Sequence, residues 1–194
     1  MDKIFLIMGE SGSGKDTIVN KLCAKYGYKR IKSYTTRPSR GTATDVQSHI
    51  FVDDEQFDKL ENLIAFTHFD RFRYAATAQQ ADEADLYIVD PAGIKYFNEH
   101  YRGSRKPYTI YIKASKADRF CWLKERYGGD AEATELAMHR IRHDEEAFNP
   151  LQTAGIYDSV VYNSVYKDID EVVEEVHTVM EEENLLAALY SKDK

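Results

Sequence analysis

Strands alternating with helices of ten or more residues predict a three-layer α/β protein whose parallel sheet is covered on both faces. Residues 3–8 (KIFLIM) and 86–90 (LYIVD) are near-continuous apolar runs, as in strands buried on both sides. Residues 15–26 place Ile18, Val19, Leu22 and Cys23 at helical spacing, and Gly27 stands where a C-cap is expected. A chain of 194 residues can bury a full hydrophobic core as one domain.

The remaining elements follow in order. Residues 28–34 read as a short strand, and 35–47 as a polar loop. Asp53 or Asp54 caps a helix reaching Leu60, and 64–74 read as extended. Strand 86–90 is followed by a helix over 93–101 and a strand over 108–114. Ser115 caps a helix over 116–127 that stops at Gly128-Gly129. A charged helix over about 131–148 leads into a strand at 159–162, and 167–189 closes as an acidic amphipathic helix. No internal repeat or low-complexity segment interrupts the pattern.

A formal net charge of -7 argues against a broadly basic surface, so nucleic acid is not an expected partner. Local arginines can still oppose that sign around a small anion. The apolar run at 3–8 leads straight into glycines and is too short for a signal peptide or a membrane span, so no membrane partner is expected. Cys23 and Cys121 both sit in apolar helical patterns and are expected to be buried thiols, which fits a cytoplasmic setting. No feature of the sequence sets an oligomeric state.

Residues 9–15 (GESGSGK) fit the spacing G-x-x-x-x-G-K, with a strand before and a helix after. Such glycines let backbone N–H groups turn inward around a phosphate. The helix N-terminus adds partial positive charge, and Lys15 reaches the β- and γ-phosphates of a bound nucleotide. The position after the lysine usually holds a Ser or Thr that ligates Mg²⁺; here it is Asp16, with Thr17 next. Two readings of Asp16 stand: a Mg²⁺ ligand, direct or through water, or a first-turn carboxylate stabilised by the helix dipole. Asp90 also has two. It ends a parallel strand where α/β sheets bind ligands, as a second Mg²⁺ or acceptor carboxylate, or it is the N-cap of the next helix. Asp16, Thr17 and Asp90 form the candidate Mg²⁺ set.

Ser33-Tyr34-Thr35-Thr36-Arg37-Pro38-Ser39-Arg40 resembles the S-x-T-T-R-x-x-R segment of guanylate kinases, and His49-Ile50-Phe51-Val52 with Glu55-Gln56-Phe57 resembles the stretch after it. Further matches are Tyr74, Val89-Asp90 with Gly93, Leu123-Lys124-Glu125-Arg126, Arg140, Tyr157-Asp158 and Val161-Tyr162-Asn163, all in order between about residues 3 and 175. The resemblance implies a single domain over 1–194 with a P-loop NTPase-like core, an acceptor-binding flap at about 33–83 and a lid at about 126–142. It implies ATP and Mg²⁺ as cofactors, small-molecule nucleotides as partners, and phosphoryl transfer to a nucleoside monophosphate, with GMP or dGMP first. The catalytic residues it implies are Lys15, Arg37, Arg40, Arg126 and Arg140. ATP would be bound by Ser11, Gly12, Ser13, Gly14, Lys15, Asp16 and Thr17. The acceptor would be bound by Ser33, Arg37, Arg40, His49, Tyr74, Thr77 and Asp90. Physically, Arg37 and Arg40 flank a turn and can fork onto one phosphate dianion, while Arg126 and Arg140 would neutralise charge on the group in transit.

The chain departs from the family's pattern at the base-reading positions. A tyrosine that holds the acceptor phosphate aligns with His49, whose imidazole donates best when protonated. The guanine-reading glutamate aligns with Ala65, a strand aspartate with Ile88, and a serine with Ala76; one lid arginine is missing at Gly128-Gly129-Asp130. Guanine's N1–H and N2–H₂ donors would lose partners at about 1–3 kcal/mol each, unless His68, Asp70 or Thr77 substitutes. A kinase of another acceptor, such as ribose 1,5-bisphosphate, is the alternative that needs no base reader. A non-catalytic module binding a phosphorylated partner is a third reading; such modules tend to lose the lysine that this chain keeps.

Overall fold

The computed structural model describes residues 3–39, 41–69 and 71–190. Its main sheet is built on β1 (Lys3–Met8), which lies between β6 (Leu86–Ile88) and β7 (Lys106–Lys113), with β8 (Ser159–Tyr162) beyond β7; every pairing is parallel. The continuous apolar run of β1 has a direct cause. Ile4, Leu6 and Met8 point into one cluster with Ile94, Phe97 and Tyr111. Phe5 and Ile7 point the other way, onto Ile18, Leu22, Val172 and Val176. Each fully buried side chain of this kind contributes roughly 1.5–3 kcal/mol.

The first face is covered by α5 (Pro91–His100), and the second by α1 (Lys15–Tyr26) and α9 (Ile169–Tyr190). These are the three expected layers. α1 ends at Gly27, at φ 75°, whose N–H bonds the Cys23 carbonyl. No helix among the described residues is long and apolar enough to cross a membrane.

A second sheet occupies much of the stretch expected to form the flap. Its strands are β2 (Ser33–Thr35), β3 (His49–Phe51), β4 (Leu63–Phe69) and β5 (Phe72–Thr77), in the order β3-β2-β5-β4. β4 and β5 are an antiparallel hairpin with an irregularity between Leu63 and Ala65, whereas β2 and β3 are parallel. The sheet is flanked by α2 (Ala43–Ser48), α3 (Asp54–Asp58) and α4 (Ala78–Glu83). Ile64, Ala65 and Ala76 join the cluster of Ile4 and Phe97, so the two sheets share one core.

The structure corrects several expectations. Residues 28–34 are not one strand: Arg30 makes an isolated bridge to Leu86, and regular pairing starts at Ser33. Tyr28 turns to His177 and Glu181 on α9, and Arg30 turns back to Asn20 on α1. The loop expected over 35–47 contains α2, and the extended stretch over 64–74 is broken by the hairpin turn at Arg71, φ 65°. Cys121 is exposed and Cys23 half-buried. After β7 come α6 (Lys116–Arg126), α7 (Ala131–Ala147) and the short α8 (Pro150–Thr153), with Ser115 capping α6 as expected.

Candidate functional site

The loop between β1 and α1 is shaped by close approach. A Cβ on Gly9 would lie 2.6 Å from the Ile112 carbonyl, and one on Gly14 would lie 2.5 Å from Asn163 Nδ2. Gly14 also has φ 87°, which an L side chain rarely adopts. Asn163 donates from that nitrogen to the Ser13 carbonyl at 3.0 Å, tying the loop to the end of β8. Gly14 caps α1 without any side-chain acceptor. The first N–H groups of the helix therefore lack a side-chain cap, the arrangement that binds phosphate. The buried Ser13 hydroxyl has no partner among the described residues, a further group able to receive a ligand oxygen.

Lys15 donates to the Glu10 carbonyl at 3.3 Å. Burial pulls its pKa below the ordinary lysine value, the carboxylates of Asp16 and Asp144 oppose that shift, and the charges of Arg140 and Arg126 add to it. Arg126, at the end of α6, and Arg140, on α7, are thus near enough for their charges to act on Lys15. Arg119 and Asp144, which sequence reasoning missed, also reach the loop. A signal existed: both are charged residues on the apolar face of an amphipathic helix, in step with Leu123 and with Ala137 and Ile141.

Asp16 lies in the first turn of α1, where its Oδ1 is 3.6 Å from Nη2 of the mostly buried Arg30. This is the first-turn reading with a cation added. Thr17 instead faces a cavity of about 360 Å³ that is bounded by Gly12, Trp122, Arg126, Val165 and Ile169. Among the described residues no three His, Cys, Asp or Glu side chains could cage a metal.

On the other side of the sheet's carboxyl edge a second cavity, about 160 Å³, brings together Ser33, His49, Tyr74 and Asp90. Ser33 and His49 are register partners in β2 and β3, and the His49 ring meets Tyr74 edge-on at 5.7 Å. Burial lowers the His49 pKa, a backbone hydrogen bond at Ser48 opposes that shift, and the nearby Arg37 charge adds to it, so the site favours the neutral imidazole. Arg37 is buried and clamped by Asp45, at 2.5 and 3.3 Å. Burial alone would lower the guanidinium pKa, but Asp45 outweighs it and raises it. Asp90 fulfils its N-cap reading, accepting the Gly93 N–H at 2.6 Å, while also facing this cavity.

Ala65 and Ile88 form part of the same wall, as their alignment implied, and Ala76 is fully buried opposite Ala65. Thr77 does not border the cavity; its hydroxyl caps α4 in a reciprocal pair with Gln80. His68 is exposed, and Thr67 rather than His68 or Thr77 supplies a hydroxyl to the wall. Arg40 and Asp70 lie outside the described residues.

Fold and site together define the class: a P-loop NTPase-like α/β fold with one cavity at the phosphate loop and a second beside Asp90, just past β6. The guanylate kinase family model matches residues 1–183, and the chain belongs to the guanylate kinase family. It is similar to a guanylate kinase of Thermobifida fusca, 38% identical over 88% of this chain and 89% of that protein. A guanylate kinase of Neisseria gonorrhoeae is 43% identical over 34% of this chain, and the match spans 33%, about a third, of that relative's length. The crystal structure of a guanylate kinase from Anaplasma phagocytophilum superposes with a TM-score of 0.58 at 21% identity, covering 93% of this chain and 86% of that one.

Proposed function

We propose that the chain transfers the γ-phosphoryl group of ATP to the phosphate of a nucleoside monophosphate, with GMP or dGMP the first acceptor to test. The bond from the γ-phosphorus to the β-phosphate oxygen breaks, an acceptor phosphate oxygen bonds to that phosphorus, and ADP leaves. One observation carries this reading: Gly12, Gly14 and Thr17 of the phosphate-loop region line one cavity together with Arg126, and a second cavity opens beside Asp90 just past β6. The larger cavity, with Trp122 at its side, takes the donor nucleotide. The smaller one takes the acceptor, whose phosphate meets Arg37, His49 and Tyr74.

The donors present, the Thr17 hydroxyl at one cavity and the Asp90 carboxylate at the other, fit Mg²⁺ held mainly by phosphates and water. Thr17 would contribute its hydroxyl, and Asp90 its free oxygen through water; Asp16 is engaged by Arg30. When bound, the ion neutralises charge on the β- and γ-oxygens. The protein's own residues orient the two phosphates, and the α6–α7 lid excludes water from the transfer.

The apolar wall of Ala65 and Ile88 favours a second reading, a kinase acting on another nucleotide or on a sugar bisphosphate such as ribose 1,5-bisphosphate. An ADP-release screen with ATP and Mg²⁺ separates them, using GMP, dGMP, AMP, CMP, UMP, dTMP and ribose 1,5-bisphosphate. GMP or dGMP should turn over fastest; GMP and dGMP no faster than the others would sink the guanylate assignment. The chain has one tryptophan, so ATP should change Trp122 emission saturably, whereas acceptor alone should not. An unchanged spectrum at saturating ATP would refute the donor placement.

A further inference from the structure

Asp144 is a buried carboxylate that the reaction as described leaves without a task. It lies on the inner face of α7 with Ala133, Ala137 and Ile141, and is 6% exposed. Its Oδ2 accepts the Ser11 backbone N–H at 2.6 Å, and its Oδ1 accepts the Ser11 hydroxyl at 3.2 Å. Ser11 belongs to the phosphate loop. Arg119 of α6, equally buried, donates to Asp144 Oδ2 at 3.5 Å, and its other terminal nitrogen stands 3.9 Å from Glu10 Oε1. The loop is therefore gripped by side chains of both lid helices, which themselves pack through Leu123, Ala137 and Ile141.

A buried carboxylate is costly unless paired, and Arg119 with the Ser11 N–H supplies that pairing. Pairing alone does not explain why the carboxylate reaches a loop backbone. Asp144 sits four residues after Arg140, hence one turn along the same helical face. Both charges are felt at Lys15, Asp144 raising and Arg140 lowering its pKa. A short contact at Ser11 thus fixes the height of α7 above the loop, and with it the place of the Arg140 guanidinium.

We infer that Asp144 is a positioning residue that fastens α7 to the phosphate loop and so holds Arg140 over the phosphoryl group in transit. This rests on the proposed kinase reaction. Asp144→Glu keeps the charge but lengthens the link by one methylene; Asp144→Asn keeps the length but drops the charge. Asp144→Glu should lower kcat on the order of 10–100-fold, the effect of a shift near 1 Å. The ATP affinity read from Trp122 emission should move less than about threefold, because this contact leaves the donor cavity intact. Asp144→Asn should keep most of the kcat that Asp144→Glu loses. In an Arg140→Ala background, Asp144→Glu should cost almost nothing further, since the group it positions is gone.

Full additivity with Arg140→Ala, or the reverse order of the Glu and Asn variants, overturns the role. Should Asp144→Glu fail to fold, Asp144→Ala replaces it with the same expectations and the same overturning results. A parent chain that turns over no acceptor refutes the reaction and this role together. A parent that turns over while the two losses add refutes the role alone.

Discussion

Lys15→Met should lose at least about 100-fold in turnover while melting no lower than the parent. Removing one preorganised donor from a developing phosphate charge costs about 10²–10³ in rate. The stability half of the expectation comes from burial, which already pulls the ammonium's pKa below its usual value. A methionine of similar length removes that desolvation cost. Neither neighbouring carboxylate is left alone: Asp16 keeps Arg30 and Asp144 keeps Arg119. ADP release and a calorimetric melt measure the two halves. Turnover within tenfold of the parent would remove Lys15 from the mechanism.

Arg37→Ala should abolish acceptor turnover and also destabilise the fold by about 3–5 kcal/mol, the cost of breaking a buried ion pair from one side. The second effect follows because Arg37 and Asp45 are each 8% exposed and face one another. For a chain of this size the loss corresponds to a melting shift of roughly 10 °C. Adding Asp45→Ala should recover most of the stability and none of the turnover. A double variant that regains turnover would mean that Arg37 only neutralises Asp45 and never meets the acceptor phosphate.

The parts of this molecule that could be read from sequence are those whose signal is local. β1, the phosphate loop and α1 announce themselves through an apolar run, glycine spacing and helical periodicity within two dozen residues. β6 and β7 are equally plain, because burial forces continuous apolar runs there. α6 follows from its Ser115 cap. Thr77 caps α4 and does not border the cavity, and the signal for that cap is also local: Thr77 and Gln80 have capping-box spacing, as do Asp53 and Gln56. α2 was hidden for a different reason, since its buried Asp45 looks like a loop carboxylate until Arg37 is seen beside it. The Arg119–Asp144 pair joins two helices across a turn, and nothing in either segment alone names the partner. Ala65 and Ile88 could be placed only through the family alignment, and the cavity geometry then put them on one wall with Thr67.

The core shared by the two sheets has a thermodynamic consequence. Ile64, Ala65 and Ala76 are buried against Ile4, Leu6 and Phe97, so the β4–β5 hairpin cannot come undone without exposing the interior of the main sheet. Its opening free energy approaches that of the whole molecule. β2 and β3 are three residues long and β3 is an edge strand, so they have less to hold them than the hairpin and open more readily. The wall of the smaller cavity that carries Ala65, Phe66 and Thr67 is therefore built from the cooperative unit. Another part of that cavity's wall, with Ser33 and His49, comes from these shorter strands. An acceptor bridging both walls would tie the weaker unit to the stronger, and its binding free energy would appear as folding free energy of the outer edge.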